Sequence, residues 1–502
     1  MRNTLLILLF VSITITCNSQ WAQIGTTFLG DATSDEFGKT VAMNETGNII
    51  AVGARLNDFA GFENGQVKVY QLQNNTWQQL GSDLLGETTG SFGEKFGWDI
   101  DLSATGTRLV VGAPFYVNGL IIPGATRVFE FNGTAWVQLG STIEGENSQD
   151  LSGWSVSINN DGTRIIIGSS GNSDNGTGSG QARVYEYDGA NWTQLGNDIE
   201  GETEYFAGGS DVAINGIGNM IAVGFAKNNS PSLGSGNGIV RMFELQGATW
   251  QQVGEDIVGE AELDGFGEAI NLNTSGTRIA IGARLHNGIK PFSGQVKVFE
   301  LNGANWTQLG TEILGEDFEA LGVSVDLNSE GTILVAGGRA NNPTDLQKGI
   351  VRIFRYINGN WEQVDNSIYG ENNEDQAGMG VAMNSLGNLV VIGAPFSDAN
   401  GDSSGQAKVF KNENILSVSG PSEAFSQFVV FPNPNKGIFN ISFTEIQQRV
   451  TVNIVDLLGR QVVNIDYFKT NTIKVNGNLK TGVYLVEILA NSVSETVRIL
   501  IE

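Results

Sequence analysis

Two residue types with versatile chemistry are almost missing. The 502-residue chain has one cysteine, Cys17, and one histidine, His286. Cys17 falls in the N-terminal segment expected to be removed, so no cysteine is left for Cys–His catalysis, and without a second histidine a histidine-based zinc site is excluded. A histidine acting as a general base needs a nucleophile and an orienting partner beside it. Leu285, Asn287 and Gly288 supply neither, so His286 is expected to be a solvated loop residue. Cations are scarce too: 28 Lys and Arg stand against 54 Asp and Glu, a formal net charge of −26. That balance repels nucleic acid and anionic membranes, so neither is an expected partner. No apolar run is long enough to span a membrane.

The longest apolar run, Leu5 to Ile13, follows Arg2 and precedes Cys17-Asn18-Ser19. A charged start, a short apolar stretch and small residues at a cleavage point predict a secretory signal over residues 1–19. A lipid-modified Cys17 would call for Leu and a small residue before it, and Thr14-Ile15-Thr16 offers neither. Cys17 then leaves with the signal. The mature chain has no disulfide, so packing must stabilise it.

Glycine is abundant, at 67 residues, and the chain repeats itself. Seven copies of one paragraph open at Trp21, Trp77, Trp136, Trp192, Trp250, Trp306 and Trp361, spaced 55 to 59 residues apart. That period suits a multi-stranded unit. Each copy predicts four strands. FGKTVAMN (37–44) alternates; IIAVGA (49–54) is continuously apolar, as a strand covered on both faces would be; QVKVYQL (66–72) alternates with aromatics; and WTQLG (192–196) starts at its Trp. Tight turns such as Asn132-Gly133 and Asp188-Gly189 join third and fourth strands, because Asn, Asp and Gly tolerate positive φ. Four antiparallel strands per repeat predict an all-β fold, a seven-bladed β-propeller over residues 20–412. The last copy lacks a Trp strand and WAQIG (21–25) lacks a copy of its own, so this N-terminal strand is expected to close the ring.

The runs Phe37-Gly38, Phe96-Gly97 and Phe266-Gly267, the apolar-Val-Gly-Ala strands and the endings Ala113-Pro114 and Ala394-Pro395 resemble the FG-GAP repeat of integrin alpha-subunit propellers. Leu321-Gly322 and Ala377-Gly378 are degenerate copies. The resemblance implies the propeller fold, but not the calcium sites. Integrin loops with Asp-x-Asp-x-Asp-Gly offer several oxygens to a hard cation, whereas NETG (44–47), SATG (103–106), NNDG (159–162) and NSEG (328–331) offer one or two. The one asymmetric acidic cluster, Asp398, Asn400 and Asp402, looks like half a calcium loop and is the candidate metal site, with Ca²⁺ the only cofactor considered.

After a linker (413–427), residues 428–502 read as a small C-terminal β-sandwich. They resemble the type A C-terminal sorting domain of the type IX secretion system of Bacteroidetes. The matching positions are Pro432, Asn433 and Pro434, then Gly437, Asp456 and Gly459, then Gly482 and Tyr484. The resemblance implies secretion machinery as a partner, and release from the cell or attachment at its surface.

Acids gather where each Trp strand leads to the next copy, as in Asp31, Asp35 and Glu36, or Glu260, Glu262 and Asp264. A Gly-Glu pair recurs in six of the seven connections. A catalytic carboxylate pair should break repeat symmetry, and these acids follow it, so they are expected to cap backbone N–H groups. The sequence thus points to a secreted, non-enzymatic binding or adhesion protein that presents one loop face to an extracellular glycan or protein. A polysaccharide-degrading enzyme using paired carboxylates is the alternative.

Overall fold

A computed structural model describes residues 21–87, 93–202, 207–226, 236–288, 290–339, 347–412, 415, 428–431, 438–456, 460–476, 479–480, 482–490 and 493–501. They belong to two compact units, one ending at Ser417 and one beginning at Val418. Every regular element among them is a β-strand. The expected signal, residues 1–19, lies outside the described residues.

The first unit contains seven antiparallel sheets built to one plan. In the fifth repeat, Ala269–Leu272, Arg278–Ala283, Gln295–Asn302 and Asn305–Gln308 pair in that order. The continuously apolar second strands are buried on both faces, as in Ile49–Ala54 and Leu389–Ala394. The third strands are buried at their start and open toward their end. In the outer strand Trp77 is buried while its neighbours face solvent. Burial falls with distance from the centre because both faces of each sheet pack on neighbouring sheets.

One expectation needs correction. The fourth strand is broken: Trp192–Gln194 pairs with the end of the third strand, and a separate Ile199–Glu200 pairs with its beginning. Gly196, at a φ of 86°, turns the chain between the two pieces and receives the next repeat's Trp250 ring, which leaves no room for a side chain there. The Trp250 Nε1–H donates to the Leu195 carbonyl at 2.8 Å. Trp136, Trp192, Trp306 and Trp361 make the same bond to the preceding repeat at 2.8–3.1 Å. The recurring Trp and Leu-Gly are therefore two halves of one contact between repeats.

The motif glycines are explained similarly. A Cβ on Gly168, in a second strand, would collide with the carbonyl oxygen of Gly209, which opens the next repeat; Gly224 meets Gly267, and Gly393 meets Gly38, in the same way. Successive sheets approach backbone to backbone, which only glycine permits.

The sheets form a closed ring. The first strands touch one another in succession, and Gly380–Met383 of the last sheet returns to Thr40–Met43 of the first. At the tight-turn end, backbone hydrogen bonds run in a circle. Glu45 donates to Ala104, Ala104 to Asn160, Asn160 to Gly216, Gly216 to Thr274, Thr274 to Ser329, Ser329 to Ser385, and Ser385 back to Glu45, at 2.9–3.2 Å. Trp21–Gln23 is the outer strand of the last sheet, with Trp21 opposite Asn412 and Gln23 opposite Phe410. Phe28–Leu29 pairs with the start of the same strand.

The second unit is a five-stranded antiparallel sheet. Its longest strand, Ile438–Asp456, pairs with Gln461–Asn476 on one side, and with Phe428–Phe431 and Gly482–Ala490 on the other. Val493–Ile501 lies outermost, against Gly482–Ala490. Phe439, Ile441, Val450, Val452, Val486 and Ile488 are among its buried core residues.

Candidate binding site at the channel mouth

The connection acids divide into two structural classes. In six of the connections a buried acid holds loop N–H groups. Asp35 Oδ2 accepts from Asp31 and Ala32 at 2.9 and 2.8 Å, and Asp150 Oδ2 accepts from Glu146 and Asn147 at the same distances. Glu94 accepts from the Glu87 N–H at 2.7 Å and is clasped by both terminal nitrogens of the buried Arg127. The acid that follows the connection glycine, Glu of the Gly-Glu pair or Asp31 in the first connection, instead holds the Lys or Arg of the following third strand. Such pairs are Asp31–Lys68, Glu146–Arg183, Glu202–Arg241, Glu260–Lys297 and Glu371–Lys408.

His286 is not the solvated residue expected. It is buried, with Nδ1 3.7 Å from Asp264 Oδ2. It stands where other repeats place a buried Asn against the same acid, as in Asn57 with Asp35 and Asn172 with Asp150. The degenerate cation loops have a local task as well. Asn44 Oδ1 accepts from the N–H groups of Asn48 and Ile49, and Asn328 Oδ1 from those of Thr332 and Ile333, closing the tight turns.

In the candidate metal cluster, Asp398 Oδ1 accepts from the Ser403 N–H at 2.8 Å. Asn400 Nδ2 donates to the carbonyls of Gly30 and Asp31, stitching the last sheet to the connection that follows the N-terminal strand. The Asp402 side chain lies 3.4 Å from the Ser403 hydroxyl. Among the described residues no three His, Cys, Asp or Glu side chains come together to hold a metal. Of the sorting positions, Pro432, Asn433, Pro434, Gly437 and Gly459 lie outside the described residues. Asp456 ends the long strand, and Gly482 begins the next. The Tyr484 hydroxyl donates to the Lys480 carbonyl at 3.1 Å.

The ring encloses a channel. The first strand of each sheet is an edge whose N–H groups have no strand partner on the channel side, and side chains from the preceding sheet supply acceptors. Asp99 Oδ2 accepts from Val156, Asp101 Oδ2 from Ile158, Asp211 Oδ2 from Ile270 and Asp326 Oδ2 from Met383, all at 2.7–2.9 Å. Ser157 and Asn271 stand in for an acid in two sheets. Burial raises these carboxyls against the pull of those hydrogen bonds: Asp99 and Asp326 to about 7, Asp101 to about 6, and Asp211 well above the usual range. Glu319, desolvated beside Arg352, also rises to about 7.

Folded-state values above the ordinary one mean that protonation favours the closed ring. The stabilisation is fully present below the unfolded value near 4 and is lost as pH rises through 6 to 7. Stability toward urea is therefore expected to decline between pH 5 and pH 8. Asp99 and Asp326 should each contribute about 1 kcal/mol once channel water is allowed for. Urea titrations at the two pH values check this, and Asp99→Asn should flatten the profile.

Above the carboxylates the channel opens at the face that carries the acidic connections, into a cavity of about 290 Å³. Here the repeat symmetry fails. The residue after the motif glycine is Lys39 in the first repeat, then Trp98, Trp154, Ser210, Glu268, Val323 and Met379, and all seven line this cavity. Trp98 and Trp154 lie with ring centroids 4.7 Å apart, tilted by 47°. The Arg55 guanidinium sits over Trp98 at 4.5 Å from its centroid and is held by Glu36 at 2.7 Å. Arg284 pairs with Glu268 at 2.5 Å, and Arg339 donates to the neutral Gln376 at 3.1 Å. Lys39 is pushed down to about 7, first by desolvation, then by Arg55, against the pull of Glu36, and further by Arg339 and Arg284.

Sequence reasoning missed this site, although a signal was present. Of nine tryptophans, seven open repeats, and the other two are Trp98 and Trp154. An aromatic falling twice at a position where the remaining repeats vary was the departure from symmetry to look for.

Residues 144–185 match the FG-GAP repeat family, and residues 429–502 match the secretion system C-terminal sorting domain. No curated protein matches the chain. Among solved structures, that of U3-55K is 11% identical with a TM-score of 0.46, over 77% of this chain and 98% of that one. The Dos1 propeller is 10% identical with a TM-score of 0.41, over 78% and 96%. The GH74 xyloglucanase from Xanthomonas campestris is 12% identical with a TM-score of 0.45, over 94% of this chain and 60% of that one.

Proposed function

We propose that this chain, which carries an FG-GAP repeat in a ring of sheets and a type IX secretion sorting domain, is a non-enzymatic binding protein that works outside the cell. The sorting domain directs it through type IX secretion to the cell surface or the extracellular space. The ring of sheets is read as a seven-bladed propeller closed by its N-terminal strand. The second unit is read as a small sandwich, its long strand bent where the register shifts between Ser442 and Gln447.

The binding reading is carried by where the repeat symmetry fails. The connection acids and the cation loops are spent on backbone N–H groups and ion pairs. The channel mouth gathers side chains that differ from repeat to repeat, with two half-exposed indoles among cations. Tryptophan offers a large rigid apolar face with a polar edge, suited to an amphipathic ligand. We read the ligand as an extracellular glycan or protein, bound without a cofactor.

One observation favours a second reading, a polysaccharide-degrading enzyme. Asp99, Asp101 and Asp326 have pKa values near neutrality, which suits general acid catalysis. Against it, both oxygens of Asp99 accept backbone N–H groups, from Ile100 and Val156. Incubating the purified chain with a polysaccharide panel and assaying reducing ends separates the readings. No release, together with retention on an immobilised glycan or protein, is expected. Release abolished by Asp99→Asn or Asp326→Asn would establish the enzyme.

A further inference from the structure

We propose that the channel mouth binds an acidic saccharide, with a sugar ring against Trp98 and Trp154 and its carboxylate or sulfate against Lys39. The proposal rests on the binding reading above and specifies the ligand.

The first argument is charge. In a chain of net charge −26, cations are ordinarily neutralised where they stand, and the third-strand Lys and Arg residues show this repeat after repeat. At the mouth two of four, Lys39 and Arg339, have no carboxylate partner among the described residues. Lys39, Arg55, Arg284 and Arg339 come from three different repeats and lie close enough for the three guanidinium groups to act on Lys39. Glu36 and Glu268 neutralise Arg55 and Arg284. Among the described residues, no carboxylate comes within ion-pair distance of Lys39. Desolvating an ammonium among like charges is unfavourable, and an arriving anion reverses that cost. The surrounding negative surface repels long polyanions, so a short acidic saccharide whose end ring can reach the mouth fits better than a nucleic acid.

The second argument is shape. Trp98 and Trp154 both line the mouth and give it an aromatic wall, part of which Arg55 of the adjoining repeat already covers at Trp98; Lys39 comes from that same repeat. The C–H face of a pyranose can lie on the wall while its acid group meets Lys39. The hydroxyls that share the cavity are already committed to holding sheets together: Thr40 donates to the Gly97 carbonyl, Ser155 to Gly209 and Ser324 to Gly378. The acids of the same cavity are occupied too, Asp99 and Asp211 by the Val156 and Ile270 N–H groups and Glu268 by Arg284, so recognition falls to the indoles and the cations. A peptide carboxylate would also meet Lys39 but needs a second residue to meet the indoles, whereas an acidic pyranose carries ring and acid group in one unit.

The test is calorimetric titration of the full chain with trigalacturonate, a sulfated carrageenan oligosaccharide and neutral cellotriose, with indole fluorescence as a second readout. One or both acidic probes should bind at least ten times more tightly than cellotriose, and which of them does so distinguishes carboxylate from sulfate. Lys39→Gln should weaken acidic binding by about 10- to 100-fold, as for a lost charged hydrogen bond, while Lys39→Arg restores most of it. Trp98→Ala should weaken acidic and neutral binding alike, and unchanged melting of each variant shows that folding is intact. Cellotriose binding as tightly as the acids, with Lys39→Gln silent, overturns the acid preference and leaves glycan binding standing. No response to any saccharide, alongside retention of an extracellular protein, overturns this inference but not the broader reading. Hydrolysis of the probes overturns both.

Discussion

Removing residues 21–27 is expected to abolish cooperative unfolding of the ring and to drive much of the protein into aggregates. Among the described residues, Trp21–Gln23 is the strand that covers the outer edge of Gln406–Asn412 along Phe410 to Asn412, and an uncovered edge strand templates association with other chains. The lost burial of Trp21 and the broken strand hydrogen bonds amount to roughly 5 kcal/mol. That is a large share of the stability of an ordinary domain. Thermal scans and size-exclusion chromatography of the truncated and full-length chains measure it. Trp21→Ala should be milder, at about 3 kcal/mol, because the strand backbone stays paired. A truncated chain that stays monomeric and melts like the intact one would show that closure does not depend on this strand.

Removing residues 428–502 should have the opposite profile: a stable propeller that never reaches the medium. The two units are separate and the second has a core of its own. Its loss is therefore expected to leave the melting of the first unchanged while the protein accumulates in the periplasm. Cell fractionation and immunoblotting read the first outcome. The second is read by grafting 428–502 onto a reporter with an export signal, which should carry it across the outer membrane. Normal secretion of the truncated chain would show that these residues are not the export address. A sharp fall in melting temperature would show instead that they stabilise the propeller.

The repeat made the architecture readable before any coordinates. A continuous apolar run such as Ile49–Ala54 must be covered on both faces, and the unmatched WAQIG and the incomplete last copy fit together as the structure shows. The break at Gly196 was less visible, because it depends on the indole of the next repeat, 54 residues on in sequence. His286 was misread for a related reason. Its sequence neighbours are loop residues, and only the ring brings Asp264 beside it. The acids were read by their symmetry as structural, and Asp35 and Asp150 hold N–H groups accordingly. The channel mouth was missed because attention went to what repeats. Trp98, Trp154 and Lys39 come together only when the first three repeats are set side by side around a centre.

The circle of hydrogen bonds at the tight-turn end of the ring also fixes an order in time. A growing chain can make the bonds from Glu45 to Ala104 and onward as each repeat emerges. The bond from Ser385 back to Glu45 joins residues 340 positions apart in sequence. The pairing of Trp21 with Asn412 spans still more. Until the final repeat has been synthesised, the molecule is an open arc with one free edge at each end, and the earliest strand made is the last to find its place. Such distant pairing is slow to form. The address for export, at residues 429–502, is the next stretch of chain to be made once closure becomes possible.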